Sequence, residues 1–185
     1  IRNPDFVQGL DGWTATPGEP GSIATRRVRD LGSLQGRYPK SEEGDTCLWM
    51  RRSAAKPNVV SQEIRGLTPG RVYSVKMIAG DPTDPARAQL LVVTLNVDGV
   101  EMIRERCFQV PFQTLHRTDT YRESAPWFNY FHRVFRATHD TARVTLSDGV
   151  TEERPNAPVG QETLCNFIEI EPYFLPRGEA GDTAR

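Results

Sequence analysis

No window of this 185-residue chain repeats apolar residues at the i, i+3, i+4, i+7 spacing of an amphipathic helix. That absence constrains the fold more than any other feature. Glycine and proline, 15 and 14 of them, punctuate the chain, and the longest stretch free of both runs from 127 to 148. What lies between the breaks alternates with a period of two, as half-buried strands do. Strands are expected at Thr46–Met50, at Val59–Ile64 before the turn GLTPG, and at Val72–Ala79 with Tyr73, Val75 and Met77 on one face. Gln89–Val97 is apolar on both faces, as a central sandwich strand would be. Asp98-Gly99 then reads as a hairpin turn into Val100–Val110. Tyr130–Ala137 places Phe131 and Phe135 together, Ala142–Leu146 alternates, and Phe167–Glu171 turns Ile168 and Ile170 inward. About eight such strands spell an all-β antiparallel sandwich. Pro17–Gly44, Phe112–Pro126 and Asp148–Gly160 read as loops. The sandwich is expected to span 1–176, with 177–185 as a flexible tail.

The charge balance narrows the partners. Lys and Arg number 23 against 24 Asp and Glu, a formal net charge of −1. That speaks against a surface binding nucleic acid or anionic lipid by bulk charge. Mean hydropathy is −0.52, and no apolar run approaches the ~18–20 residues of a membrane-inserted helix. Cys47, Cys107 and Cys165 have no CxxC or metal-site spacing and sit in apolar stretches. Burial as small hydrophobes is expected, with one disulfide allowed by the count. No GxSxG, phosphate loop or Cys/His nucleophile context is present.

Several motifs follow one another in a suggestive order. NPDFVQGLDGW, starting at Asn3, resembles the opening of galactose-binding-like jelly-roll modules, which read Asn-x-x-Phe-Glu, a glycine stretch, then Trp. VVSQEIRGLTPGRVYSVKMIAGD, starting at Val59, resembles the same family's Gln-x-x-x-Gly-Leu-x-Pro-Gly-x-x-Tyr strand pair. Trp127 with NYFHRVFRATHD, TARVTLSD, and the strand from Cys165 to Ile170 complete the order from about Asn3 to Phe174. The chain is thus similar to carbohydrate-binding module families of the CBM4/9 type.

The resemblance implies a β-sandwich that binds a polysaccharide or glycan without catalysis. It also implies a place beside a catalytic domain in an extracellular or cell-surface protein. The alternative is a structural or protein-interaction sandwich with no glycan ligand. The family commonly holds a structural calcium with a Glu after the first Phe and an Asp in the last strand. Those positions are Val7 and Cys165 here. No cofactor is required for folding, but a structural Ca2+ is possible if Asp5, Asn166 and Glu169, with Asp11, supply the oxygens.

Sugars stack their C–H faces on flat rings and give their hydroxyls to planar polar groups. If Leu48 and Met50 point into the core, Cys47, Trp49 and Arg51 face the other way. Trp49 and Arg51 are therefore expected as a sugar platform, unless a loop covers the indole. Trp127 is a second candidate ring, with Gln62 and Asn129 as polar helpers. Trp13 reads as framework, and Tyr38 and Tyr121 as rim or surface tyrosines. Asp81–Pro85 reads as a solvated turn, and Glu42, Glu43, Glu152 and Glu153 as solvated charge. A third reading is a jelly-roll lyase, for which Asn129, Tyr130, His132 and Arg133 hold the right residue types, with Tyr130 and His132 on one strand face.

Overall fold

The computed structural model describes residues 1–34, 44–114, 125–152 and 155–175. Eleven strands are present among them: β1 (Thr14–Thr16), β2 (Ile23–Arg27), β3 (Thr46–Arg51), β4 (Val59–Arg65), β5 (Val72–Gly80), β6 (Thr94–Asp98), β7 (Val100–Met102), β8 (Phe108–Gln113), β9 (Trp127–Ala137), β10 (Thr141–Ser147) and β11 (Glu162–Pro172). A four-residue helix, α1 (Leu31–Leu34), and a 3-10 turn at Arg104–Arg106 complete the order. The strands form two antiparallel sheets. The smaller is ordered β1-β4-β10-β6 and the larger β2-β3-β11-β5-β9-β7, with β8 also paired to β9. This is the antiparallel β-sandwich that the alternation called for, of the jelly-roll type that the resemblance implies.

The core lies between the sheets. Val60, Ile64, Leu95, Val144 and Leu146 from the smaller sheet meet Leu48, Met50, Val75, Met77, Phe131, Phe135 and Ile168 from the larger. Each such side chain contributes roughly 1.5–3 kcal/mol through its removal from water. Trp13 packs at the sandwich edge, its ring centroid 5.2 Å from that of Phe6. Its indole N–H donates to the Asn3 carbonyl at 3.1 Å. The inward sets expected on β5, β9 and β11 all face this core.

Four segments depart from the expected pattern. Gln89–Val97 is not a central strand: pairing begins only at Thr94, and β6 is an edge of the smaller sheet. Residues 89–91 are tied instead by side chains. Leu91 N donates to Asn129 Oδ1 (3.0 Å), and Leu91 O accepts from Gln109 Nε2 (3.0 Å). The Asp98-Gly99 turn does not close a hairpin. With Gly99 at φ 78°, it carries the chain from the smaller sheet to the larger. Val100–Val110 is broken by the 3-10 turn, so that β7 and β8 pair in series along the one long strand β9. The expected loop Pro17–Gly44 contains β2, paired to β3 from Ile23 to Arg27. The expected tail 177–185 lies outside the described residues, as do Tyr38, Glu42, Glu43, Tyr121 and Glu153.

All three cysteines are free thiols, two buried and Cys107 half-buried. Burial pushes the Cys47 thiol up to about 12, an effect Arg26 reduces and Asp45 adds to, and burial raises Cys165 further still. Only the thiolate reacts. A disulfide-exchange reagent at mildly alkaline pH should therefore titrate one fast thiol in the folded protein and three in denaturant. Two or more fast thiols in the native protein would contradict this packing.

Candidate functional site

The outer face of the larger sheet is the candidate site, and strand register lays it out in rows. One row runs Phe112, Phe128, Gly80, Leu164, Trp49, Ala24 across six strands. Its neighbour runs Val110, Tyr130, Ile78, Asn166, and the next Phe108, His132, Lys76, Glu169.

The first row is closed. Trp49, Phe128 and Leu164 form an apolar cluster with Cys47 and with Leu31, which the segment before β3 lays over them. That segment is tied down by Asp45, whose carboxylate accepts from Asp30 N (3.3 Å) and Gly32 N (3.0 Å). Phe128 lies flat on Gly80, where a Cβ would come within 2.9 Å of its ring carbons. The expectation that Trp49 turns outward with Cys47 holds, but the indole is only 3% exposed. Arg26 lays its guanidinium 3.6 Å above the ring centroid. Glu162 Oε2 accepts from both the indole N–H (2.5 Å) and Arg26 (3.2 Å). Arg51 sits 5.9 Å from the same ring and pairs with Glu19. Trp49 and Arg51 therefore do not offer an open platform, because cation–π stacking and a shared carboxylate occupy the ring.

The polar helpers are likewise spent inside. Gln62 is on β4, in the other sheet, and is 6% exposed. It accepts from Arg2 N (2.6 Å) and donates to the carbonyls of Arg2 and Gly12 (3.0 Å each). Asn129 is 2% exposed, accepts from Leu91 N and from Gln109 Nε2 (2.7 Å), and donates to Gln89 O (2.8 Å). Trp127 is half-buried at the start of β9, on the inward parity of Asn129 and Phe131. The five expected sugar-binding residues are thus not one site. The lyase set divides in the same way. Tyr130 and His132 share the outer face, while Asn129 faces inward and Arg133 donates to Leu95 O (3.1 Å) in the opposite sheet and to Phe108 O (2.6 Å).

The less covered part of the face carries a different set of rings, exposed at Phe108, half-buried at Tyr130 and Tyr173, and buried at His132. Phe108 is 44% exposed, with its ring centroid 5.0 Å from His132 and 6.0 Å from Tyr130. Tyr130 and His132 lie parallel at 6.3 Å, and Tyr173 lies 5.8 Å from His132. The His132 ring is oriented by Nδ1, which donates to the Arg106 carbonyl at 3.2 Å. Beside the rings, Lys76 pairs with Glu171. Burial pulls the Lys76 ammonium down, but its hydrogen bond to Glu171 and the charges of Glu171, Tyr130 and Glu169 outweigh that and hold it above its ordinary value. The outward residues on β9 were legible from alternation, whereas Phe108 and Tyr173 join them only through tertiary pairing.

The expected calcium ligands fit poorly. Asp5 and Glu169 border one cavity of about 420 Å³ with Ile1, Pro4, Phe167, Ile168 and Ile170. Asn166 does not join them: its amide donates to the Gly44 and Thr46 carbonyls (2.9 and 2.6 Å), and its oxygen accepts from Phe167 N (2.5 Å). Among the described residues no group of three or more His, Cys, Asp or Glu is placed to hold a metal. With two carboxylates there, the rest of the six to eight oxygens calcium takes would have to come from backbone carbonyls and water. The Asp81 turn is the solvated kind expected, with Asp81 Oδ1 accepting from Thr83 N (2.8 Å) and Asp84 N (3.2 Å).

The architecture and this face define a jelly-roll β-sandwich with an aromatic surface on its larger sheet. Compared by sequence, the chain matches no protein-family model and no curated protein. Compared by structure, 94% of it superposes on the enzymatically active domain of bacteriophage CBA120 tailspike protein 4, with a TM-score of 0.54 and 10% identity, over 21% of that chain. It also superposes on TmCBM61 in complex with β-1,4-galactotriose (TM-score 0.49, 12% identity, 94% of this chain and 97% of that one). A CBM4 structure aligns with a TM-score of 0.43 and 13% identity, over 94% of this chain and 99% of the other. At these identities the likeness is one of fold.

The Lys76 pair gives a pH test. A raised folded-state pKa stabilises the fold below the unfolded value of 10.5 and loses that stabilisation as pH rises through the folded value. The stability difference between the parent and Lys76→Met in urea unfolding should therefore stay level from neutral pH to about pH 9. It should shrink only above the ordinary lysine range. A difference that fades between pH 7 and 8 would exclude the pairing. Asn129→Ala should cost about 1–3 kcal/mol in the same measurement, since it strands buried backbone groups.

Proposed function

We propose that this chain binds carbohydrate, without catalysis, on the open half of the larger sheet's outer face. The observation that carries the reading is the contiguous set of rings of Phe108, Tyr130, His132 and Tyr173 beside the Lys76–Glu171 pair. A pyranose presents an apolar C–H face and a rim of hydroxyls. Rings and a neighbouring ammonium–carboxylate pair match those two needs at once. The role of such a module is to hold an attached enzyme or surface protein near a glycan, in an extracellular or cell-surface setting.

A second reading is favoured by Phe108 and Val110, 44% and 43% exposed on the edge strand β8. An apolar strand at a sheet edge can also dock a neighbouring protein domain.

Calorimetric titration with a panel of soluble galactans, xylans and β-glucans separates the two. The first reading expects heat from at least one glycan. Phe108→Ala or Tyr130→Ala should weaken that binding roughly tenfold, the worth of one lost stacking contact. Trp49→Phe, on the covered ring, should leave it unchanged. No heat from any glycan would retire the carbohydrate reading and leave the docking one.

A further inference from the structure

We infer that Arg133 is a positioning residue for the aromatic face: from the inner side of the larger sheet it fixes where the Phe108 ring stands on the outer side. Phe108 opens β8, an edge strand whose one paired neighbour among the described residues is β9, and it begins just past the 3-10 turn. The first residue of an edge strand frays unless something besides the ladder holds it. Here three successive residues of β9 grip three successive residues of the corner. His132 Nδ1 donates to Arg106 O (3.2 Å), Val134 N donates to Cys107 Sγ (3.3 Å), and Arg133 Nη1 donates to Phe108 O (2.6 Å).

Arg133 also ties this corner to the other sheet. Its Nε donates to Leu95 O (3.1 Å) on β6, the edge of the smaller sheet, and Nη1 donates to the His132 carbonyl as well (3.1 Å). The guanidinium passes 5.6 Å from the Phe131 ring centroid. A planar fork with donors on separate nitrogens holds two carbonyls at a fixed separation, which a single ammonium does not. The Phe108 carbonyl therefore cannot swing without breaking a charge-assisted hydrogen bond. What the fork sets is the ring, 44% exposed and 5.0 Å from His132 and 6.0 Å from Tyr130. A ring already in place costs a ligand less ordering than one that must be collected on binding. The benefit to a glycan rests on the carbohydrate reading of this face; the placement of the ring by Arg133 does not.

Proton NMR of the intact chain tests this through His132, one of three histidines in the sequence. An aromatic ring displaces the resonances of protons beside it, so the His132 imidazole signal reports where Phe108 lies. At one fixed pH, Phe108→Ala gives the signal position without that ring. Arg133→Met should move the signal most of the way there. Arg133→Lys, which keeps the charge but not the fork, should move it part of the way, and it serves where the methionine variant does not fold. On the Phe108→Ala background neither substitution should move the signal further, since the arginine acts through the ring. In calorimetry with a glycan that binds the parent, Arg133→Met should weaken binding several-fold, up to the roughly tenfold of Phe108→Ala, and add nothing on that background. An unmoved His132 signal, an affinity left at the parent value, or changes of equal size with and without Phe108 would each overturn the inference. If no glycan binds the parent, the carbohydrate reading fails, and the His132 signal alone decides whether Arg133 places the ring.

Discussion

A chain that leaves one sheet and crosses the apolar end of a sandwich takes its peptide groups along, and each buried one must find a partner. In this protein buried carboxamides meet that demand. Asn58 accepts from Gly18 N (2.7 Å) and Ser22 Oγ (2.5 Å) while donating to Arg51 O and Asp148 (2.8 and 2.6 Å). Gln62 fastens the N-terminal turn, Asn129 the segment before β6, and Asn166 the entry to β3. An amide carries donors and an acceptor on one planar group, so a single side chain can hold two loops at once without burying a charge. The sheets supply the hydrophobic free energy, and buried amides, together with the buried carboxylates of Asp45 and Asp148, decide which loops lie over which face.

That division of labour shapes the outer face of the larger sheet. Asp45 pins the segment carrying Leu31, and the cluster beneath it seals Trp49. The Phe108 row is less covered: Phe108 is exposed and Tyr130 and Tyr173 are half-buried, with His132 buried beneath them. One sheet therefore has a structural half and an open half, separated by the row through Tyr130. The boundary is set by loop anchoring more than by the polarity of the strands.

Strand alternation made much of this legible. It placed Tyr73, Val75 and Met77 on one face, paired Phe131 with Phe135, and turned Trp49 away from Leu48. What alternation cannot carry is the identity of the neighbour. Asn129 and Gln62 look like sugar-gripping amides until the segment each one satisfies is known. Arg26 covers Trp49 only because β2, inside a stretch rich in turn residues, pairs with β3. Phe108 sits after a 3-10 turn, inside what reads as one uninterrupted strand, and its meeting with His132 is a product of register.

Register also gives the last strand its character. The pairing of β11 with β5 slips between Asn166 and Glu169, where Phe167 takes φ 55°. The surplus residue reverses which parity faces inward, so Cys165 and Ile168 both reach the core while Glu169 and Glu171 stay outside. The bulge is the one place in β11 where the count can change by a residue without turning either flank over. Losing Phe167 would straighten the ladder with Ile168 opposite Met77 and Glu169 still opposite Lys76, whereas losing Ile170 would turn Glu171 toward the hydrocarbon interior.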